Sequence, residues 1–263
     1  MTYHFFDYKH NITGFQSDLF SVPHLVFIGL VFLFSFLTIW LFRNADRQKI
    51  GKWLKVQAVF TAVLEVVKIS WESYYDITTG QGFNAAGLLP IYTCSLLIYM
   101  LPLAAWGKGK LRDCALAFLT TIGMLFGAIG VIYCNGLNFY PFWTFGAFYS
   151  LYFHTSMFLT GVILLSSGYA RPEWKNVGLS FLPISLLALI AIPVDYALNT
   201  DYMQLYSGSG VPLYEDLAAR LAARGLRPIY TLIMLLTHLP LAALVVGICK
   251  AAERIPLFGR RKA

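Results

Sequence analysis

The sequence predicts an all-α polytopic membrane protein: a seven-transmembrane-helix bundle with its N-terminus outside and its C-terminus inside. Three observations carry this reading. Seven apolar stretches each approach the ~20 residues that a helix needs to cross ~30 Å of hydrocarbon. The loops between them alternate between rich and poor in Lys and Arg. The composition is 58% hydrophobic, 16% aromatic and only 13% charged, with a mean hydropathy of +0.63, whereas soluble domains carry about 25% charged residues. Because lipid offers no hydrogen-bond partners to a bare backbone, the spans are expected to be helices.

In chain order the expected spans are 23–43, 53–75, 87–107, 113–135, 144–168, 176–200 and 227–250. Residues 1–22 form an extracytoplasmic segment in which His4, Asp7, Lys9, His10 and Asp18 mix with aromatics. It lacks the basic start of a cleaved leader, so span one reads as a retained signal anchor. Within it, Asn11-Ile12-Thr13 matches a glycosylation triplet, a pattern common by chance. Residues 23–250 form the transmembrane domain and 251–263 a basic cytoplasmic tail.

Short cytoplasmic loops retain basic residues. Of the 20 Lys and Arg, 15 follow spans one, three, five and seven, while Lys9, Arg220, Arg224 and Arg227 lie on the other side and Lys68 lies inside span two. The net charge of +7 is therefore mostly orientation bias. It points to a cell membrane and anionic headgroups, not to nucleic acid. On the outer side, residues 212–223 place Leu213, Leu217 and Leu221 on one helical face and Glu215, Asp216, Arg220 and Arg224 on the other, as an interfacial helix would. Gly123 and Gly127 form a GxxxG pattern suited to close helix packing. The four cysteines, Cys94, Cys114, Cys134 and Cys249, show neither CxxC pairing nor metal-ligand spacing, so no metal or other cofactor is expected.

Ionisable side chains inside a span cost ~2.5–3.5 kcal/mol each on insertion scales and are functional candidates by default. At ~1.5 Å of rise per residue, Glu65, Lys68, Glu72, Cys94, His154, Asp195 and His238 all fall in the outer half of the membrane. Glu65, Lys68 and Glu72 stand at i, i+3 and i+7, on one stripe of span two. That stripe is either a structural ion pair or a polar wall that orients a headgroup, and a wall would line a cavity shared with Asp195 and His238. His154 and His238 are each readable as interhelical hydrogen-bonding residues. Matching depth beneath a cysteine also suits them to chemistry, since a histidine is the usual activator of a nucleophilic thiol.

The segment Leu89-Pro90-Ile91-Tyr92-Thr93-Cys94-Ser95-Leu96, together with Phe153-His154-Thr155 and Asp201-Tyr202-Met203-Gln204-Leu205, resembles the YwaF family of bacterial integral membrane proteins. These are relatives of the animal transmembrane protein 164 acyltransferase. The resemblance spans roughly residues 20–250. Two positions depart from the family pattern, Tyr92 in place of a histidine and Asp201 in place of an asparagine. The resemblance implies acyl transfer through a thioester on Cys94 with His154 as base, membrane phospholipids or lysophospholipids being the partners. Tyr92, Glu65, Lys68, Glu72, Asp195, His238 and Tyr202 would then contact substrate, and Arg220, Arg224 and Arg227 could hold its phosphate. A transporter or channel using the same ionisable residues is the competing class, with Pro193 and Pro240 breaking helices beside Asp195 and His238. A seven-helix sensor without chemistry is the third. The sequence leaves oligomeric state open.

The basic asymmetry sets an expected outcome for cysteine-accessibility labelling of intact cells. Cysteines introduced at 76–86 and 136–143 are reached by an impermeant reagent, and those at 44–52, 108–112 and beyond Lys250 are not; labelling from outside at Arg260 would reverse the topology.

Overall fold

A computed structural model describes residues 3–12, 14–80, 85–208 and 210–252, and among them there is helix and no strand. Five helical stretches, Val22–Phe42, Gly109–Asn138, Phe145–Ser166, Lys175–Leu198 and Arg227–Ala252, are long and apolar enough to cross a membrane. This is a multi-pass membrane protein. The expected second span lies within a 32-residue helix that also carries Arg47, Lys49, Lys52, Lys55, Glu65, Lys68, Glu72 and Asp76. The expected third span has only 11 helical residues. The tail after Ala252 and Thr13 of the glycosylation triplet lie outside the described residues.

The elements follow the sequence's own start and stop signals. Helix α1 (Val22–Phe42) opens on Ser21, whose hydroxyl accepts from the His24 N–H, with proline in the first turn. Helix α2 (Arg47–Thr78) opens on Asp46, which accepts from Gln48. A short α3 (Ala85–Leu88) precedes α4 (Leu96–Trp106), then come α5 (Gly109–Thr120), α6 (Ile122–Ile132), α7 (Phe145–Ser166) and α8 (Lys175–Leu198). A helix does form where an interfacial one was expected at 212–223: it is α9 (Pro212–Ala222). The last span divides into α10 (Arg227–Leu236) and α11 (His238–Ala252).

Three expectations need correction. A continuous helix over 87–107 does not form, because Pro90 has no N–H to give and forces Leu89 out of helical geometry. Residues 89–95 turn instead, through Ile91 N–H to the Leu89 carbonyl (2.9 Å) and Ser95 N–H to the Tyr92 carbonyl (3.0 Å). Span four is interrupted at Thr121 (φ −125°, ψ −97°), where Thr120 and Thr121 return their hydroxyls to Leu116 and Ala117 carbonyls. Pro193 stays inside an unbroken α8, whereas the last span does break at Thr237, three residues before Pro240.

The helices pack in a closed order, α2 against α4, α4 against α5, then α8, α11, α6 and α7, which returns to α2; α1 lies on α7. Glycines set the closest approach. A Cβ on Gly127 would stand 2.4 Å from the Phe158 nitrogen of α7, and one on Gly161 would stand 2.6 Å from the Leu119 carbonyl. In the GxxxG pattern only Gly127 serves the neighbouring helix, since Gly123 meets Phe118 of its own span. Buried His24 ties α1 to α6: its Nδ1 accepts from Phe20 N–H and its Nε2 donates to the Val131 carbonyl at 3.0 Å. The first residues then cover the end of the bundle opposite the basic loops. There Phe5 accepts from Phe145 N–H, Phe6 from the Trp71 indole, and Asp18 from Phe142 N–H.

Gly127→Ala is expected to destabilise the protein by about 1–3 kcal/mol through overpacking, seen as a lower apparent Tm in detergent. Gly178→Ala, inside α8, is expected to leave Tm unchanged or raise it slightly, because nothing lies within 4 Å of an added Cβ and alanine favours helix over glycine by about 0.5–1 kcal/mol.

Candidate functional site

The stripe on α2 extends further than its ionisable members. Gln57, Thr61, Glu65, Lys68 and Glu72 follow each other at three- and four-residue spacing and face a matching row on α7, Tyr149, Tyr152 and Ser156. Tyr152 joins Thr61 (3.0 Å) and donates to Gln57 (3.2 Å). One turn along, the Tyr149 hydroxyl donates to Oε2 of buried Glu65. Lys68 forms an ion pair with Glu72 at 2.7 Å and lies 5.7 Å from the Tyr149 ring centre. The part of the seam away from the basic loops thus holds two carboxylates and one ammonium, each engaged by a neighbour.

Cys94 borders this seam. It lies in the 89–95 turn, within electrostatic reach of Glu65, Lys68 and Tyr149. An 11-residue α4 rises ~16 Å, about half of the ~30 Å hydrocarbon core. The turn that precedes it is therefore at membrane depth, where irregular backbone survives only when protein encloses it or it lines a wet cavity. The chain meets that demand locally. Leu96 and Leu97 N–H donate to Thr93 and Cys94 carbonyls, and the Tyr99 hydroxyl donates to the Pro90 carbonyl at 3.1 Å.

On its other side the turn meets the segment after α8. Tyr92 packs edge-on to Tyr202, with ring centres 4.9 Å apart, and it is within electrostatic reach of Cys94, Asp195 and Glu72. Asp195 is fully buried. One of its oxygens accepts from Thr200 Oγ1 (3.0 Å) and Tyr202 N–H (2.7 Å), and the other has no hydrogen-bond partner among the described residues. Asp201 closes the following turn through Tyr206 and Ser207 N–H groups. Seven of the expected residues, Glu65, Lys68, Glu72, Tyr92, Cys94, Asp195 and Tyr202, thus belong to one neighbourhood.

The two histidines face α6. His154 bonds its Nδ1 to the Ser150 carbonyl of its own helix at 2.8 Å, and its ring fills the notch at Gly130, where a Cβ would stand 1.9 Å from Cδ2. With a proton on Nδ1, Nε2 is left as the basic nitrogen. No hydrogen bond joins it to Cys94 among the described residues. Buried His238 bonds Met234 and Leu235 carbonyls at the break in the last span and meets Phe126 edge-on at 5.5 Å. Of the expected phosphate-binding rim, Arg220 is held by Asp216 (2.8 Å), and Arg227 stacks over Tyr206 at 4.1 Å.

Sequence reasoning missed Tyr149, Tyr152 and Gln57. The signal was present, since Tyr149, Tyr152 and Ser156 repeat the i, i+3, i+7 spacing of the α2 stripe, but aromatic residues in a span read first as packing. A family model, that of the TMEM164 family, matches residues 19–246. No curated protein and no solved structure matches the chain.

Tyr149→Phe removes the donor from a buried carboxylate and is expected to cost about 1–3 kcal/mol of stability. A double-mutant cycle with Glu65→Leu checks it: the two losses should be less than additive by at least about 0.5 kcal/mol.

Proposed function

The chain belongs to the TMEM164 family, and from that membership and the position of Cys94 we propose that it is a lipid acyltransferase of the cell membrane, embedded as seven helices with its N-terminus outside. The observation that carries the reading is the interrupted helix: a thiol on a turn at membrane depth, beside a polar seam within an otherwise apolar bundle. Cys94 is the acyl-accepting nucleophile and His154 the base, as the resemblance to the YwaF proteins implies. The thiol proton passes to His154 Nε2 as sulfur attacks the ester carbonyl of a membrane phospholipid, and the lysolipid oxygen leaves with a proton returned by the imidazole. A lysolipid or water then takes the acyl group from the thioester. The proton transfer requires His154, whose ring fills the Gly130 notch of α6, to leave that notch and turn toward Cys94 when substrate is bound.

Glu65, Lys68 and Glu72 supply fixed charge for a headgroup on one side, and Tyr92, Tyr202 and Asp195 enclose the turn on the other. His238 stands apart from this neighbourhood, against Phe126 of α6. A transport reading draws on the same interruption, because transporters place substrate and ions at broken helices near the midplane. The continuation of the seam to Thr61 and Gln57 favours it specifically, since it carries polar groups toward the basic end.

The experiment is a thioester trap: purified protein is incubated with phospholipid bearing a tagged acyl chain. Hydroxylamine-sensitive label is expected on the wild type, absent in Cys94→Ser and reduced at least about 100-fold in rate in His154→Ala, as loss of a general base entails. Label that persists in Cys94→Ser, or folded wild type that takes up none, leaves the transport reading ahead. Label lost in Cys94→Ser but unchanged in His154→Ala keeps the nucleophile and moves the base elsewhere.

A further inference from the structure

At the basic-loop end of the bundle, far from Cys94, three separate elements converge on one tyrosine. Tyr169 stands in the turn after α7 and is 8% exposed. Arg47, the first residue of α2, places its guanidinium carbon 4.8 Å from the Tyr169 ring centre and donates from Nη2 to the Tyr169 carbonyl at 3.4 Å. Arg112, on α5, places its guanidinium carbon 5.3 Å from the same centre and donates from Nη2 to the Tyr169 hydroxyl. Two cations are therefore held no further apart than the sum of those two distances.

Neither guanidinium has a carboxylate within ion-pair distance among the described residues. The acidic groups of this end are engaged elsewhere. Asp46 caps α2 through Gln48 N–H. Glu173 pairs with Lys175 at 2.7 Å, a hydrogen bond that holds its carboxyl below the ordinary range. Asp113 acts on Lys175 as well. Two guanidiniums on one ring both gain from an anion placed beside them. Stacking on an aromatic face meanwhile fixes each guanidinium and leaves most of its five N–H donors free, the arrangement that suits phosphate. Gly51, one turn along α2 from Arg47, presents bare backbone beside the Tyr169 hydroxyl; a Cβ there would lie 3.7 Å from it. The level is also right. The 22 residues of α7 rise ~33 Å, close to the ~30 Å core, so the turn after it sits among headgroups.

We propose that Arg47, Arg112 and the Tyr169 hydroxyl form a phosphate-binding site, filled by the headgroup of an anionic phospholipid in the leaflet at the basic end. Inorganic phosphate shares the chemistry, so the test separates the two sources. The protein is placed in nanodiscs of phosphatidylcholine, of phosphatidylcholine with phosphatidylglycerol, and of phosphatidylcholine with added inorganic phosphate. Apparent Tm is followed, and retained lipid is counted by native mass spectrometry.

Phosphatidylglycerol is expected to raise Tm and to be retained. Arg47→Gln and Arg112→Gln should each weaken retention about tenfold, as loss of a charge-assisted hydrogen bond entails, and exposed Lys110→Gln should leave it unchanged. The site is overturned if the double arginine variant retains phosphatidylglycerol like the wild type, or if Lys110→Gln weakens it as much as either arginine change. If inorganic phosphate reproduces the whole effect, the lipid assignment falls. Should the double variant not fold, Tyr169→Phe carries the test, because it keeps the ring beneath both guanidiniums and removes only the hydroxyl; unchanged retention then overturns the proposal.

Discussion

A peptide N–H or C=O within hydrocarbon has no water to turn to, and this chain meets that constraint most sharply at Pro90. The missing donor at Pro90 stops the helix that the surrounding apolar residues would otherwise continue. Seven residues of irregular backbone then have to be satisfied by the protein itself. They are, through successive short turns and the reach of Tyr99 back to the Pro90 carbonyl. A thiol is thereby presented on a turn instead of being packed against a helix neighbour. Glu65 and Lys68 of α2 and Tyr149 of α7 lie near the turn on one side, and Tyr202 packs against its Tyr92 on the other.

The seam beside it obeys the same rule for side chains. Buried charge is tolerable when it is paired and hydrogen-bonded, and α2 distributes its polar residues so that each meets a partner one turn away or across on α7. Tyrosine suits this role, since its ring packs like a hydrophobe while its hydroxyl donates. Asp195 is the exception, with one carboxylate oxygen fixed by two donors and the other without any among the described residues.

Much of the fold was legible because hydrophobic length is a strong signal. The ends of α1, α7 and α8 lie within two residues of the expected spans, and the helix at 212–222 was readable from its leucines. The breaks were less legible. Pro90 and Pro240 do interrupt their spans, Pro193 does not, and Thr121 interrupts one without any proline, because whether a freed carbonyl finds another donor depends on the neighbouring helices. For the site, the α2 stripe was visible in its spacing, and its pairing with Tyr149 and Tyr152 was hidden in the aromatic background. The placement of His154 in a glycine notch could not be read, since Gly130 and His154 are 24 positions apart and nothing local relates them.

That notch has a mechanical side. The imidazole edge of α7 sits where α6 has no side chain, and a second helix-to-backbone contact lies one turn away at Gly127. Two such keys one turn apart oppose rotation or sliding of α6 along α7, since either motion would carry side chains of α6 into the space that the bare glycine leaves for the ring. The pair therefore behaves as one rigid strut. Any rearrangement that admits a bulky molecule is then taken up where the helices are already discontinuous, at the 89–95 turn, at Thr121 and at Thr237, so the compliance of this bundle is concentrated at its three breaks.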